Sequence, residues 1–193
     1  MKPIHIALII CVCLMLFVIY VNSDYFNLKC VIATKNGKTY CVRDTPNLKR
    51  SANLLATVSD RMTKLVKYTY SKYPNEDIKR LYNNYNPDKI VETLPTSEYT
   101  AYSENKGSKI AFCLRKYKDQ YKLIDINTLT FVAIHELSHL MTKSIGHETD
   151  FWNNFKFLLK CAVEIGIYQP VDYSNEPESY CGMEIDDNPY YDN

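Results

Sequence analysis

Three of the four histidines in this 193-residue chain, His135, His139 and His147, lie in one short stretch, VAIHELSHLMTKSIGHETDFW, over residues 132–152. His135 and His139 are four positions apart, so on an α-helix their rings stand one turn above the other on the same face, within reach of a single ion. Glu136 follows the first of them. In this H-E-x-x-H arrangement two neutral imidazoles hold zinc, and the adjacent glutamate, turned away from the ion, acts as general base towards water. Catalytic zinc generally takes three protein ligands and leaves its fourth position open. His147 is the candidate third ligand. The seven residues LMTKSIG before it let the helix end near Thr142 or Lys143, and Gly146 permits a reversing turn that returns the imidazole. Glu148, Asp150 and Glu164 are the alternatives, Glu164 because it could face the ion from the next helix. A plainer account makes this an ordinary core helix around Leu137, Leu140 and Met141, with histidines that are merely hydrogen-bonded. The three histidines taken together with Glu136 outweigh it.

The elements that must position these residues can be read on either side. DINTLTFVAIHELSHLMT reads as the metal-bearing helix, with Asp125 or Asn127 as its cap. Thr149 or Asp150 can cap the next helix, FWNNFKFLLKCAVEIG, whose Phe151, Phe155, Leu158, Leu159 and Ala162 make one apolar face. Upstream, SKIAFCLRK alternates as a strand should, which predicts an edge strand over residues 109–115 beside the metal helix, suited to pairing with an extended peptide. CVIATKNGKTYCVR predicts a β-hairpin turning through two residues at Asn36-Gly37. A helix follows from Asp44 or Thr45 and Pro46, keeps helical spacing from Leu48 to Leu65 and ends before Pro74. A shorter helix covers Glu76 to Asn84, after which NPDKIVETLPTSEY reads as irregular connection. Beyond Pro170 the acidic, tyrosine-rich tail reads as extended, with a strand in YCGMEI and a frayed end. Tyr168, Tyr173 and Tyr180 are candidates to stabilise a developing oxyanion, and nothing in the sequence chooses among them.

Composition bounds the class. With 46% hydrophobic residues, 17 tyrosines and 5 glycines the chain reads as one folded, helix-rich domain. Lys plus Arg number 23 and Asp plus Glu 22, so overall charge offers no footprint for nucleic acid and none is expected as a partner. From Ile4 to Val21 the chain is apolar except for His5, which predicts a single-pass transmembrane anchor over residues 1–23, with a cleaved signal peptide ending near VNS as the alternative. Residues 24–193 form the remaining domain. Lys29, Lys35, Lys38 and Arg43 after the span and the lack of an N-x-S/T sequon lean towards a cytoplasmic domain. Outside the span Cys30, Cys41, Cys113, Cys161 and Cys181 make an odd set; Cys30 and Cys41 could pair across the hairpin, while buried free thiols are the commoner outcome.

HELSH, then Gly146-His147, then Phe151-Trp152 resembles the SprT-like and WLM-type zinc metallopeptidases, over about residues 130–166. The resemblance implies an α+β, helix-rich zincin-like metallopeptidase domain with a small β-sheet, here preceded by one transmembrane helix. It implies Zn2+ held by His135, His139 and His147, Glu136 as the base, and a peptide or protein substrate. The eight-position step from His139 to His147 is longer than in many WLM-type members, which bears on the length of the turn. Relatives act on proteins crosslinked to DNA; the neutral charge and the apolar N-terminus argue against carrying that substrate over. The whole layout also resembles membrane proteins of large DNA viruses, which implies a single-pass protein of a virion or host-cell membrane. The alternative is an inactive, zinc-stabilised interaction or envelope protein, whose zinc would have its fourth position closed by Glu164 or Cys161.

Overall fold

The computed structural model of the chain describes residues 3–21, 28–118 and 120–192. Helix α1 (Pro3–Val21) is apolar on every side, and its side chains from Ile4 to Tyr20 are exposed. Among the described residues no helix is long and apolar enough to cross a membrane, so the expected transmembrane helix is not supported. At 19 residues α1 rises about 28 Å, slightly less than the roughly 30 Å of a hydrocarbon core. The expected cleavage point and the boundary at 23 and 24 lie outside the described residues.

Strands β1 (Leu28–Ile32) and β2 (Thr39–Arg43) pair antiparallel, with Cys30 opposite Cys41 and Ile32 opposite Thr39. The hairpin is as expected, but its loop covers residues 33–38 rather than two positions. Ala33 is buried and its N–H and carbonyl bond Lys38 and Gly37. Asn36 turns its amide to Tyr40 Oη at 3.1 Å and Asp60 Oδ1 at 3.0 Å, which draws the loop onto the next helix.

That helix, α2 (Leu48–Lys72), buries Leu55, Val58, Met62 and Leu65 at helical spacing. Helix α3 (Glu76–Asn84) starts where Asn75 accepts from the Ile78 N–H, an N-cap that satisfies one orphan donor. Both pack on α4 (Ile126–Met141), which carries HELSH. Asp125 is its cap, accepting from Asn127 N at 2.8 Å and Thr128 N at 2.9 Å. From Thr128 to Met141 every residue of α4 is buried except His135 and His139. Each fully buried Leu there, such as Leu129, Leu137 or Leu140, contributes about 1.5–3 kcal/mol, so the helix that bears the motif is also the most deeply anchored. Helix α5 (Thr149–Glu164) closes the other side with Phe151, Phe155, Leu158 and Leu159.

A three-stranded sheet lies beside α4. Strands β3 (Ile90–Glu92), β4 (Ala101–Glu104) and β5 (Lys109–Phe112) are ordered β3-β5-β4, β3 parallel and β4 antiparallel to β5. The expected edge strand over 109–115 is therefore central, and β4 forms the edge. The reason is β3, which arises within the stretch read as irregular connection and covers the second side of β5. Behind the sheet Glu92, buried, is ion-paired to Arg115 and accepts from Arg43 N at 2.7 Å.

Strands β6 (Glu178–Tyr180) and β7 (Met183–Ile185) form a second hairpin, turned at Cys181 and Gly182, both at positive φ. Its turn is bonded to the Arg115 and Lys116 carbonyls. A disulfide joins Cys113 to Cys181, and another joins Cys30 to Cys41. Free thiols were the expected outcome; instead four of the five cysteines beyond α1 are paired and Cys161 alone stays free and buried. The tail also does not fray after the strand: Asn188 is buried and donates to Tyr168 Oη and the Val171 carbonyl.

Candidate metal centre and active-site groove

The four-residue spacing on α4 places the His135 and His139 Nε2 atoms 3.2 Å apart. The chain leaves the helix at Thr142, turns through Gly146 at φ +88°, and returns His147 to the pair. His147 Nε2 lies 3.1 Å from that of His135 and 3.2 Å from that of His139. The three Nε2 atoms thus cluster where one ion could touch them all. An ion about 2.0–2.1 Å from each of three tetrahedrally disposed nitrogens sets them about 3.3–3.4 Å apart, so the donor set fits a zinc-sized ion with little adjustment. The three histidines form the one group among the described residues that could hold a metal in this way.

The aromatic pair that opens α5 explains why the rings stay in register. Phe151 is fully buried and packs on all three imidazoles, with centroid distances of 4.8, 4.4 and 4.6 Å to His135, His139 and His147. Trp152 stacks beside His147 at 5.8 Å and Phe155 meets His135 edge-on at 5.3 Å. This apolar backing has an electrostatic consequence. Burial, with its neighbouring histidines, lowers the His135 pKa to about 3, and burial, His147 and Lys106 lower that of His139 to about 4. Both are therefore neutral near pH 7, the form that ligates.

Glu136 is not one of the three converging ligands and is 4% exposed. Burial pushes its carboxyl up to about 8, partly offset by the Ser103 hydroxyl; a cation held by the triad would bring it back down. Two cavities meet on His135 and Glu136. One, of about 250 Å3, is walled by Phe131, Val132, Tyr180 and the β7 segment. The other, of about 390 Å3, is walled by Tyr102, Ser103, His139 and Gly146. Ala101 lines both, so the edge strand β4 runs beside the groove they make.

The other sequence candidates go elsewhere. Glu164 is ion-paired with Lys72 at the far end of α5, Cys161 is buried in the core, and Asp150 accepts from Ser144 Oγ at 2.7 Å. Glu148 is the N-cap residue of α5. None joins the triad, so no acidic or thiol side chain among the described residues closes a fourth position. Of the three tyrosines, Tyr180 alone lines the cavity that Glu136 shares, and its hydroxyl donates to the Thr100 carbonyl at 3.3 Å. Tyr168 and Tyr173 stack around Phe131. Sequence reasoning missed β4 as the groove's edge: its YSE segment is half-exposed and shows no alternation.

A family model described as the WLM domain matches residues 79–185. The chain is 30% identical over 199 residues to Uncharacterized protein R325 of Acanthamoeba polyphaga mimivirus, covering 95% of each. It is 36% identical over 103 residues to Uncharacterized protein 042R of Invertebrate iridescent virus 3, covering 52% of this chain and 58% of that one. Among solved structures, a Wss1 mutant from Saccharomyces cerevisiae aligns with a TM-score of 0.51 at 20% identity, over 64% of this chain and 86% of that one. At that identity the likeness is one of fold.

Proposed function

The chain belongs to the WLM domain family, which is of zinc-metallopeptidase type, and from that premise we propose that it hydrolyses peptide bonds with zinc held by His135, His139 and His147. One observation carries the reading: three Nε2 atoms within 3.2 Å of one another stand beside a buried carboxyl in a groove edged by a free strand. Zinc, when bound, supplies Lewis-acid polarisation of the scissile carbonyl and a lower pKa for water. Glu136 takes the proton of the attacking water and returns it to the leaving amine, so that the amine departs neutral. Phe151 and Phe155 hold the imidazoles and exclude water from behind them. The outer side of β4 offers backbone groups to an extended peptide, which places unfolded segments and loops ahead of folded surfaces as substrates. Ala101, which lines both cavities, sets such a peptide across His135 and Glu136.

Residues 24–193 are the peptidase domain in this proposal, and residues 1–23 attach it to a membrane. Support for the attachment is the surface of α1, where Ile9, Leu16, Phe17 and Ile19 are all more than half exposed; apolar surface on every side of one helix requires cover. Fractionation of the full chain against a variant lacking residues 1–23 tests it, and equal solubility of the two would remove attachment from the proposal.

The test of the activity is Glu136→Gln. Cleavage of unfolded protein substrates should fall about 100- to 10,000-fold while metal content stays at the wild-type level. Full cleavage by this variant would overturn the assignment of the base.

A further inference from the structure

We propose that Lys106 is a positioning residue for the third histidine, fixing the α4–α5 loop so that His147 returns to His135 and His139. The inference rests on reading the triad as a metal site. The last carbonyls of a helix have no partner within it, and α4 ends at Met141 immediately before the loop. Lys106 Nζ donates to the Thr142 carbonyl at 2.6 Å, the Ser144 carbonyl at 2.8 Å and the Lys143 carbonyl at 3.2 Å. An ammonium has three N–H groups, and here all three are spent on successive carbonyls of the segment that leads to His147.

The loop has little else to shape it from within. Ile145, its one large apolar residue, is 89% exposed, and a Cβ on Gly146 would meet nothing within 4 Å. Its far end is tied by Ser144 Oγ to the Asp150 carboxylate. Its near end is tied by Arg80, which donates to the Met141 carbonyl at 2.5 Å. Lys106 spans the middle. The eight-residue step from His139 to His147 is thus shaped by polar ties rather than by a core of its own.

Delivering Lys106 strains the β4–β5 turn. Asn105 and Lys106 both hold left-handed backbone, at φ 44° and 55°, which side-chain-bearing residues rarely adopt. Gly107 follows at φ +117°, and a Cβ there would stand 2.2 Å from the Asn84 carbonyl oxygen, so the turn is pressed against the end of α3. Strain of this kind persists where surrounding contacts over-determine it; the Gly107 and Ser108 N–H groups close the turn on the Glu104 carbonyl at 2.9 Å each, and the three Lys106 bonds tie it to the α4–α5 loop.

Charge and geometry make opposite predictions for this residue, which makes the role testable. Lys106 is close enough to His139 to disfavour a positive charge on it. Electrostatics alone therefore says that removing the ammonium should tighten cation binding at the triad. Positioning says that binding should weaken, by about 10- to 100-fold as for other partners that orient metal ligands. The experiment titrates Co2+ into the metal-free full chain, reads the visible ligand-field bands and competes with Zn2+, for wild type, Lys106→Met and Lys106→Arg, each confirmed folded by circular dichroism before titration. Weaker binding by Lys106→Met, with recovery in Lys106→Arg, which keeps donors on the loop, supports the proposal. Equal or tighter binding by Lys106→Met overturns it while leaving the metal site standing. A folded wild type that binds neither ion overturns the site and this inference together.

Discussion

His135 and His147 are twelve residues apart in sequence, and their Nε2 atoms stand 3.1 Å apart in space. Two imidazoles that close repay their desolvation when an ion lies between them and lack that return without it. His147→Ala should therefore weaken zinc binding by about 100-fold or more, taking the roughly 10–16 kcal/mol of a four-ligand structural site as a guide to each ligand's share. Metal content by mass spectrometry after dialysis against a mild chelator measures it. Glu164→Ala should leave content unchanged, since its carboxylate is paired with Lys72 away from the triad.

The metal-free protein should show a stability maximum near pH 6.5, and the two sides of that maximum belong to different residues. His135 and His139 have pKa values lowered from 6.5 to about 3 and about 4, so below pH 6.5 the unfolded chain takes up protons that the folded chain refuses. Stability falls with pH there. Glu136 is raised from 4.5 to about 8; its contribution is fully present below pH 4.5 and is lost as pH rises through 8. Thermal unfolding of chelated protein across pH 4 to 9 reads both arms. In Glu136→Gln the alkaline decline should shrink while the acid one remains, and an unchanged alkaline arm would mean that Glu136 is not buried as described.

Residues close in sequence made much of the site legible. The pairing of His135 with His139 needs only helical geometry, Gly146 announced the turn, and the two cysteines flanking Asn36-Gly37 fell opposite each other as the hairpin requires. The rest depends on distant neighbours. Strands β3 and β4 are three and four residues long, too short to carry a periodic pattern, and β5 decides that they are strands at all. Glu92, Arg115 and Lys106 carry no local signal of their partners: the fold buries Glu92 with Arg115, and Lys106 meets carbonyls 36, 37 and 38 positions further along. Asn36 misled because its amide bonds α2 and lengthens the turn it was expected to tighten.

Glu92 is the strongest test of the buried charge behind the sheet. It is 1% exposed, ion-paired to a 1% exposed Arg115, and accepts from the Arg43 backbone N–H. Without it Arg43 keeps the carbonyls of Thr93, Leu94 and Lys118, but the Arg115 guanidinium retains, among the described residues, only a 3.3 Å bond to Thr45 Oγ1. Glu92→Ala should cost about 3–5 kcal/mol in urea unfolding, because it leaves a buried guanidinium unpaired. Glu92→Gln, which still accepts from Arg43, should cost less.

The two disulfides should differ in what their loss does. Cys30 and Cys41 close a separation of 11 residues within one hairpin, whereas Cys113 and Cys181 close one of 68. In the loop-entropy account the shorter bridge contributes about 3 kcal/mol and the longer about 4 kcal/mol. The longer one also holds the β6–β7 hairpin, which supplies Tyr180 and Met183 to the cavity beside Glu136. Cys181→Ser should therefore lower the midpoint of denaturant unfolding more than Cys41→Ser, and should also raise KM for peptide substrates, because one wall of the groove is released. Cys41→Ser should leave KM unchanged, since its hairpin packs on α2 and contributes no residue to either cavity. Equal effects of the two variants on KM would mean that the C-terminal hairpin does not shape the substrate groove.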